Sequence, residues 1–238
     1  MRLILIRHGQ TPSNVEHFLD TAVPGPGLTE LGLAQAAALP DALAGEPIDG
    51  VFASNLVRTQ LTAGPLAAAL GLPVEVRDGL REVSAGDLEM RNDRDAIVAY
   101  LKTIYSWVRG DLDVRMPGGP DGRETFDRFD AVIDELRASG LSNPVIVSHG
   151  AMIRAWSTAR AANTPPDFIV ENALSNTGVA VMESVDGDGD GDGGGDCERG
   201  STGERGSWKL LTWMGEAVGG RDLRDHGEDG PAGEDVQL

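Results

Sequence analysis

A single cysteine, Cys197, among 238 residues excludes any disulfide within the chain. Lysine is almost as scarce, since only Lys102 and Lys209 contribute to the 20 basic residues. Acids outnumber bases 38 to 20, for a formal charge of −18. That excess repels nucleic acid and anionic lipid, so neither is expected as a main partner. It is also uneven: from Asp186 to the end, 14 acids face only 5 bases. No apolar run reaches the roughly 18 residues of a membrane span. Met1 to Ile6 is too short for the apolar region of a secretion signal, which makes the cytoplasm the expected compartment. What remains is 40% apolar, enough for a core, on a length that suits one α/β domain.

Strand and helix signals alternate along that domain. Arg2 to Ile6 is a short apolar run and reads as a buried strand. A helix over Leu28 to Leu43 follows, with Thr29 as N-cap and Glu30 in the first turn. Its apolar face is drawn by Leu28, Leu31, Ala34, Ala38 and Leu39, with Gln35 interrupting. Gly50 to Ala53 reads as a strand, Ser54 as a cap, and Leu56 to Leu70 as a helix stopped by Gly71 and Pro73. Val74 to Val76 is a short strand. Helices are expected over Arg94 to Trp107, Glu124 to Ser139 and Ala151 to Ala162, and further strands over Val145 to Ser148, Gly178 to Val185 and Ser207 to Met214. This order predicts a three-layer α/β/α sandwich around a mostly parallel sheet, in one domain over residues 1–214. The Gly- and Asp-rich run 186–206 is too polar to pack and reads as a flexible hairpin loop. Residues 215–238 read as an acidic, mobile tail.

Two His-Gly pairs, His8-Gly9 and His149-Gly150, each follow an apolar strand directly. Ligands bind at the carboxyl ends of strands in open α/β sheets. Two such histidines can therefore share one cleft. A lone strand-end histidine more often serves a loop hydrogen bond, but the pattern occurs twice, once with an arginine directly before it.

Arg7-His8-Gly9-Gln10-Thr11 with Asn14 resembles the RHGxTxxN signature of the histidine phosphatase superfamily, the phosphoglycerate mutase-like proteins. Further matches occur in family order: Leu28-Thr29-Glu30-Leu31-Gly32 with Gln35-Ala36, Ser54 to Gln60 with Thr62-Ala63, Leu80-Arg81-Glu82, and Ser148-His149-Gly150. The ordered set is far more specific than any one of them. The resemblance implies a phosphoglycerate mutase-like fold and a phosphomonoesterase working through a phosphohistidine, without metal or cofactor, on a small phosphorylated metabolite. It implies His8 as nucleophile, and Arg7, Arg58, His149 and Asn14 as phosphate ligands. Glu82 is implied as general acid, and Arg7, Arg58 and His149 count with His8 and Glu82 as the catalytic set. A protonated His149 would suit a dianionic phosphate. Taken alone, Arg58 and Glu82 read as ordinary surface charges; the family register lifts them above that.

Departures from the pattern lie around the substrate. Val15 to Gly27 is rich in Pro and Gly and lacks the family's Gly-Trp stretch, so no substrate-binding residue carries over there. Gly86-Asp87-Leu88-Glu89-Met90 replaces a GxWEG-like segment, and Pro117 to Thr125 resembles an expanded GGES-like one. A cofactor-dependent phosphoglycerate mutase is an alternative, weakened because Glu82 is followed by Val83-Ser84-Ala85 and not by a basic stretch. A phosphate-binding regulator without turnover is a second, and a homodimer is left open. Asp186, Asp188 and Asp190 imitate the start of a calcium loop, but position twelve, counted from Asp186, is Cys197 where a bidentate Glu is needed.

Overall fold

The computed structural model of the chain describes residues 1–185, 206–220, 223 and 229–231. Its centre is a six-stranded sheet: β1 (Arg2–Arg7), β2 (Gly50–Ala53), β3 (Val74–Val76), β4 (Pro144–Ser148), β5 (Val179–Ser184) and β6 (Trp208–Met214). The spatial order is β3-β2-β4-β1-β5-β6. The first four strands are mutually parallel, while β5 and β6 add antiparallel to β1 and to each other. The mostly parallel sheet expected from the alternation is present.

The helices are α1 (Pro12–Val15), α2 (Glu30–Ala42), α3 (Val57–Leu70), α4 (Arg94–Val108), α5 (Gly122–Ala138), α6 (Gly150–Arg160) and α7 (Phe168–Glu171). Alternate residues of β1 face opposite layers, as the two-residue repeat of a strand requires. Ile4 and Ile6 join Leu39 of α2 and Ala63 and Leu66 of α3 in one core. Leu3 and Leu5 join the second core, which α4, α5 and α6 cover. There Phe126, Phe129, Ile133 and Leu136 of α5 are all buried, as their spacing predicts. Trp156 stacks against Phe129 and Trp208. Its indole N–H donates to Asp130, which also pairs with Arg160 at 2.7 Å.

Capping chemistry explains where the boundaries moved. Thr29 is the N-cap and accepts from Gly32 N–H, so α2 starts at Glu30 and excludes Leu28. α5 starts two residues before its expected start because Asp121 and Glu124 form a capping box. The N-cap of α3 is Leu56, not Ser54. The buried face of α2 is Gly32, Gln35, Ala36 and Leu39, and Ala34 is exposed. That rotation has a cause. A Cβ on Gly32 would lie 2.1 Å from the carbonyl oxygen of Gln10, so only glycine lets α2 approach the loop after β1. Gln35 then accepts from the Gln10 N–H at 2.8 Å and donates to Leu223 O at 2.9 Å. The polar break in an otherwise apolar face is thus the clamp on the loop that follows β1.

The expected loop and its calcium-like Asp run lie outside the described residues, apart from Gly206. Where the tail is described, Ala217 and Asp229 are buried.

Candidate active site

Three adjacent parallel strands bring three side chains to one edge of the sheet. Arg7 at the end of β1 is in register with Ser148 at the end of β4. His8 and His149 are therefore the next residues on neighbouring strands, and His8 N–H donates to Ser148 O at 3.0 Å. Their ring centroids lie 5.2 Å apart. On the far side of β4, Ala53 of β2 is in register with Val147, so Ser54 follows opposite Ser148, one residue before His149. The Ser54 hydroxyl lies 2.8 Å from His149 Nε2. The residue expected to cap a helix sits against the second histidine instead.

Both rings are buried, His149 completely. Burial holds the His8 imidazole well below its usual pKa, and the Arg58 and Arg7 guanidiniums push the same way. His149 is held well below by burial, then by Arg58, His8, Arg128 and Arg7. Both shifts favour the neutral ring at pH 7, so a protonated His149 is not favoured in the free protein. His8 Nδ1 lies 2.8 Å from the carbonyl oxygen of Gly9. A carbonyl only accepts, so Nδ1 carries the proton and Nε2 keeps its lone pair. His149 Nδ1 is buried with no hydrogen-bond partner among the described residues.

Arg7, His8, Asn14, Arg58 and Glu82 line one cavity. The Arg7 guanidinium donates to Leu174 O at 2.6 Å and to the carbonyl oxygen of Asp229. Arg58 donates from Nη2 to Asp20 O at 2.9 Å, and its Nε and Nη1 make no hydrogen bond among the described residues. Burial pulls its pKa down from the ordinary value, against the pull of Asp20 and Glu82; an arginine remains charged at neutral pH. Gly25, at φ +66°, makes room for it, since a Cβ there would lie 2.5 Å from Arg58 Nη1. Asn14 has its oxygen committed to Thr11 N–H and the Thr11 hydroxyl, each at 3.0 Å, so it closes the capping box of α1. Only its amide N–H groups remain for a ligand.

Glu82 is 6% exposed and sits on the N-terminus of α6. Oε1 accepts from Val83 N–H and Met152 N–H, both at 2.8 Å, and Oε2 accepts from Ala151 N–H at 3.1 Å. Burial raises its pKa above the usual carboxylate value, opposed by those three N–H groups and by Arg58. A second cavity of about 310 Å³, lined by Val23, Arg81, Glu82, Ser84 and Glu89 among others, adjoins it. Glu82 thus lies between the two.

Four supporting residues escaped sequence reasoning. Asp20 holds Arg58. Glu89 accepts from Thr21 N–H at 2.8 Å and Ala22 N–H at 3.0 Å, which fixes the segment carrying Asp20. Arg128 donates to Gly79 O, Arg81 O and Glu82 O, each at 2.7 Å, and its burial pulls it down to about 10. Asn176 donates from its side chain to His8 O at 2.9 Å. Only Glu89 carried a signal, as the acid retained in the departed GxWEG-like segment.

The sequence profile of the histidine phosphatase superfamily, branch 1, matches residues 3–191. The chain belongs to that superfamily. A PE-PGRS family protein of Mycobacterium tuberculosis is 36% identical over 234 residues, 92% of this chain, and the chain spans only 37% of its length. An adenosylcobalamin/alpha-ribazole phosphatase of Escherichia coli is 34% identical over 157 residues, covering 64% of this chain and 75% of that protein. A mycobacterial glucosyl-3-phosphoglycerate phosphatase solved with VO3 superposes with a TM-score of 0.68 at 25% identity, over 90% of this chain and 99% of that one. The phosphoglycerate mutase-like fold read from the motifs is the fold observed.

The depressed histidines set an expected pH response. In the unfolded chain a histidine takes up its proton near pH 6.5, while folded His8 and His149 take it up only at lower pH. The unfolded state therefore binds more protons as pH falls through about 6.5, and stability is lost in that direction. An NMR titration should show the His8 and His149 ring signals unmoved from pH 8 through pH 6.5. A midpoint at or above 6.5 for either ring would contradict the neutral site.

Proposed function

We propose that this chain is a metal-independent phosphomonoesterase that acts through a phosphohistidine on His8. The observation that carries the reading is the neutral His8 ring, whose Nδ1–H is held by Gly9 O, leaving Nε2 to attack. It lies in one cavity with two arginines and a buried carboxyl group.

Phosphoryl transfer asks the protein mainly for position and positive charge around the equatorial oxygens. Arg7 and Arg58 supply planar N–H forks, His149 and the Asn14 amide neutral donors. His8 Nε2 forms a bond to phosphorus as the bond from phosphorus to the ester oxygen breaks. The departing oxygen takes the proton of Glu82, whose acid form carries it on Oε2, the oxygen with only one N–H bond. The alcohol leaves through the adjoining cavity. Water then attacks the phosphohistidine and gives its proton to Glu82, which releases inorganic phosphate and restores His8. Among the described residues, no three His, Cys, Asp or Glu side chains are placed to hold a metal ion.

The substrate we infer is a small phosphate monoester with a polar alcohol that fits beside Arg81, Ser84 and Glu89. Relatives named for alpha-ribazole and glucosyl-3-phosphoglycerate support that class. No helix among the described residues is long and apolar enough to cross a membrane. A cytoplasmic setting, with no nucleic acid or membrane partner, is our reading of the acidic composition.

Two experiments test this. Rapid quenching with labelled substrate, followed by peptide mapping, should find an acid-labile, alkali-stable adduct on His8, formed equally in excess EDTA. His8→Ala should abolish adduct and turnover. A label on His149, or turnover lost to EDTA and restored by a divalent ion, would overturn the assignment. Second, Glu82→Gln should slow an alkyl phosphate about ten-fold more than a nitrophenyl phosphate, within the range of general acid catalysis. Equal losses on both substrates would reduce Glu82 to a positioning role.

A further inference from the structure

We propose that Ser54 fixes the tautomer of His149, so that Nδ1 carries the proton and donates it to the phosphoryl group. The inference rests on the phosphatase reading, in which His149 is a phosphate ligand. Among the described residues, Ser54 Oγ has three hydrogen-bonding neighbours. It accepts from Leu56 N–H at 3.2 Å, lies 2.9 Å from Thr59 Oγ1, and lies 2.8 Å from His149 Nε2. Thr59 spends its own proton on a backbone carbonyl, Leu56 O at 2.8 Å or Ser54 O at 3.1 Å. The Ser54 proton then has two destinations.

If it goes to Thr59, His149 must donate from Nε2, and its Nδ1 becomes a buried lone pair with nothing to accept from among the described residues. Against a phosphate dianion that lone pair is repulsive. If it goes to His149 Nε2, the ring carries its proton on Nδ1 and meets the anion as a donor. Ser54, Thr59 and His149 are all fully buried, so no bulk water can substitute. A neutral imidazole has one N–H, and the hydrogen bond at one nitrogen settles the state of the other. Ser54 is therefore a positioning residue acting through His149.

Long-range ¹H–¹⁵N correlation on the full chain, labelled at histidine, reads the tautomer directly. The unsubstituted protein should show His149 protonated at Nδ1 and unprotonated at Nε2. The opposite pattern overturns the proposal whatever the activity. Ser54→Ala should mix the tautomers and lower kcat about ten-fold, less than removal of a whole transition-state donor, with a smaller change in KM. A ten-fold loss with the tautomer unchanged, or kcat within two-fold of the parent, also overturns it. If the unsubstituted protein shows the Nδ1–H ring but hydrolyses no phosphate ester, the phosphatase reading is what fails.

A separate observation carries a second inference. Arg7 donates to the carbonyl oxygen of Asp229, and its Nη1 is 3.6 Å from Asp229 Oδ1. Asn176 N–H donates to the same Oδ1 at 2.7 Å. A Cβ on Gly230, at φ +77°, would lie 3.0 Å from the Asn14 amide nitrogen, and Pro231 lines the cavity. What remains there is about 30 Å³, room for roughly two waters and not for a phosphate ester. We infer that Asp229–Pro231 compete with substrate phosphate for Arg7 and Asn14, with the Asp229 carboxylate as the anion displaced.

Asp229→Ala and Asp229→Asn, each in the full chain, test it, with KM for a phosphate ester and calorimetric affinity for inorganic phosphate as readouts. Both variants should bind phosphate about three-fold or more tighter, because the occluded fraction no longer dilutes the competent one. Unchanged or weaker binding would overturn the inference and make the segment an inert or constructive wall of the site. The calorimetric arm needs no turnover, so it stands apart from the phosphatase reading.

Discussion

The parallel pairing of β1 with β4, and of β4 with β2, is the constraint on which the rest of the site depends. Strand ends in register deliver the residues that follow to the same edge: His8 comes opposite His149, and Ser54 comes opposite Ser148, from where its hydroxyl reaches the His149 ring. A one-residue slip of β1 would turn every side chain of the strand to the opposite layer. Leu3 and Leu5 would exchange cores with Ile4 and Ile6, so both hydrophobic layers enforce the register. The geometry of the chemistry is in this sense held by the packing of four aliphatic residues.

Electrostatics then oppose that packing. The chain carries a charge of −18, yet Arg7 and Arg58 are nearly completely buried at one end of the sheet. Burying charge is costly unless it is paired or hydrogen-bonded. Here the partners are mostly backbone carbonyls: Leu174 and Asp229 for Arg7, Asp20 for Arg58. Carbonyl oxygens satisfy guanidinium donors without cancelling their charge, so the field that depresses both histidines persists. The carboxylates of Asp229 and Asp20 stand further off, at 3.6 Å and 3.8 Å.

How much of this was legible in the sequence follows from how local each signal is. The strands, most helices and both histidines carry local patterns, and the ordered motifs named Arg7, Arg58 and Glu82, which line one cavity. Ser54 was misjudged because a serine before a helix looks like a cap, and nothing local shows that β2 lies beside β4. Asp20, Arg128 and Asn176 act through partners 38, 46 and 168 positions away, with no periodicity to mark them. Asp229 sits in a stretch whose composition argues against packing, and composition is blind to one carboxylate meeting one buried arginine. Gln35 is the converse case, a polar break in a helix face that proves to be its most specific contact.

Glu82 is the residue at which burial and hydrogen bonding act in opposite directions. Full burial can raise a carboxyl pKa by about 3–5 units, while two or three backbone N–H bonds can hold one below about 2. Glu82 has both, and the helix N-terminus that often receives a phosphate is here spent on a carboxylate. The balance lies on the raised side in the free protein. An arriving phosphate adds a second anion to the same cavity, and like charge disfavours the ionised carboxyl further. The three N–H bonds favour the ionised form, and a bound phosphate would favour the proton-bearing one. In the mechanism proposed above, the same N–H groups would stabilise the carboxylate left once the alcohol has taken that proton. A group proposed to give a proton in one half-reaction and receive one in the next is served by opposing contributions of this kind, burial favouring the acid and N–H donors the carboxylate.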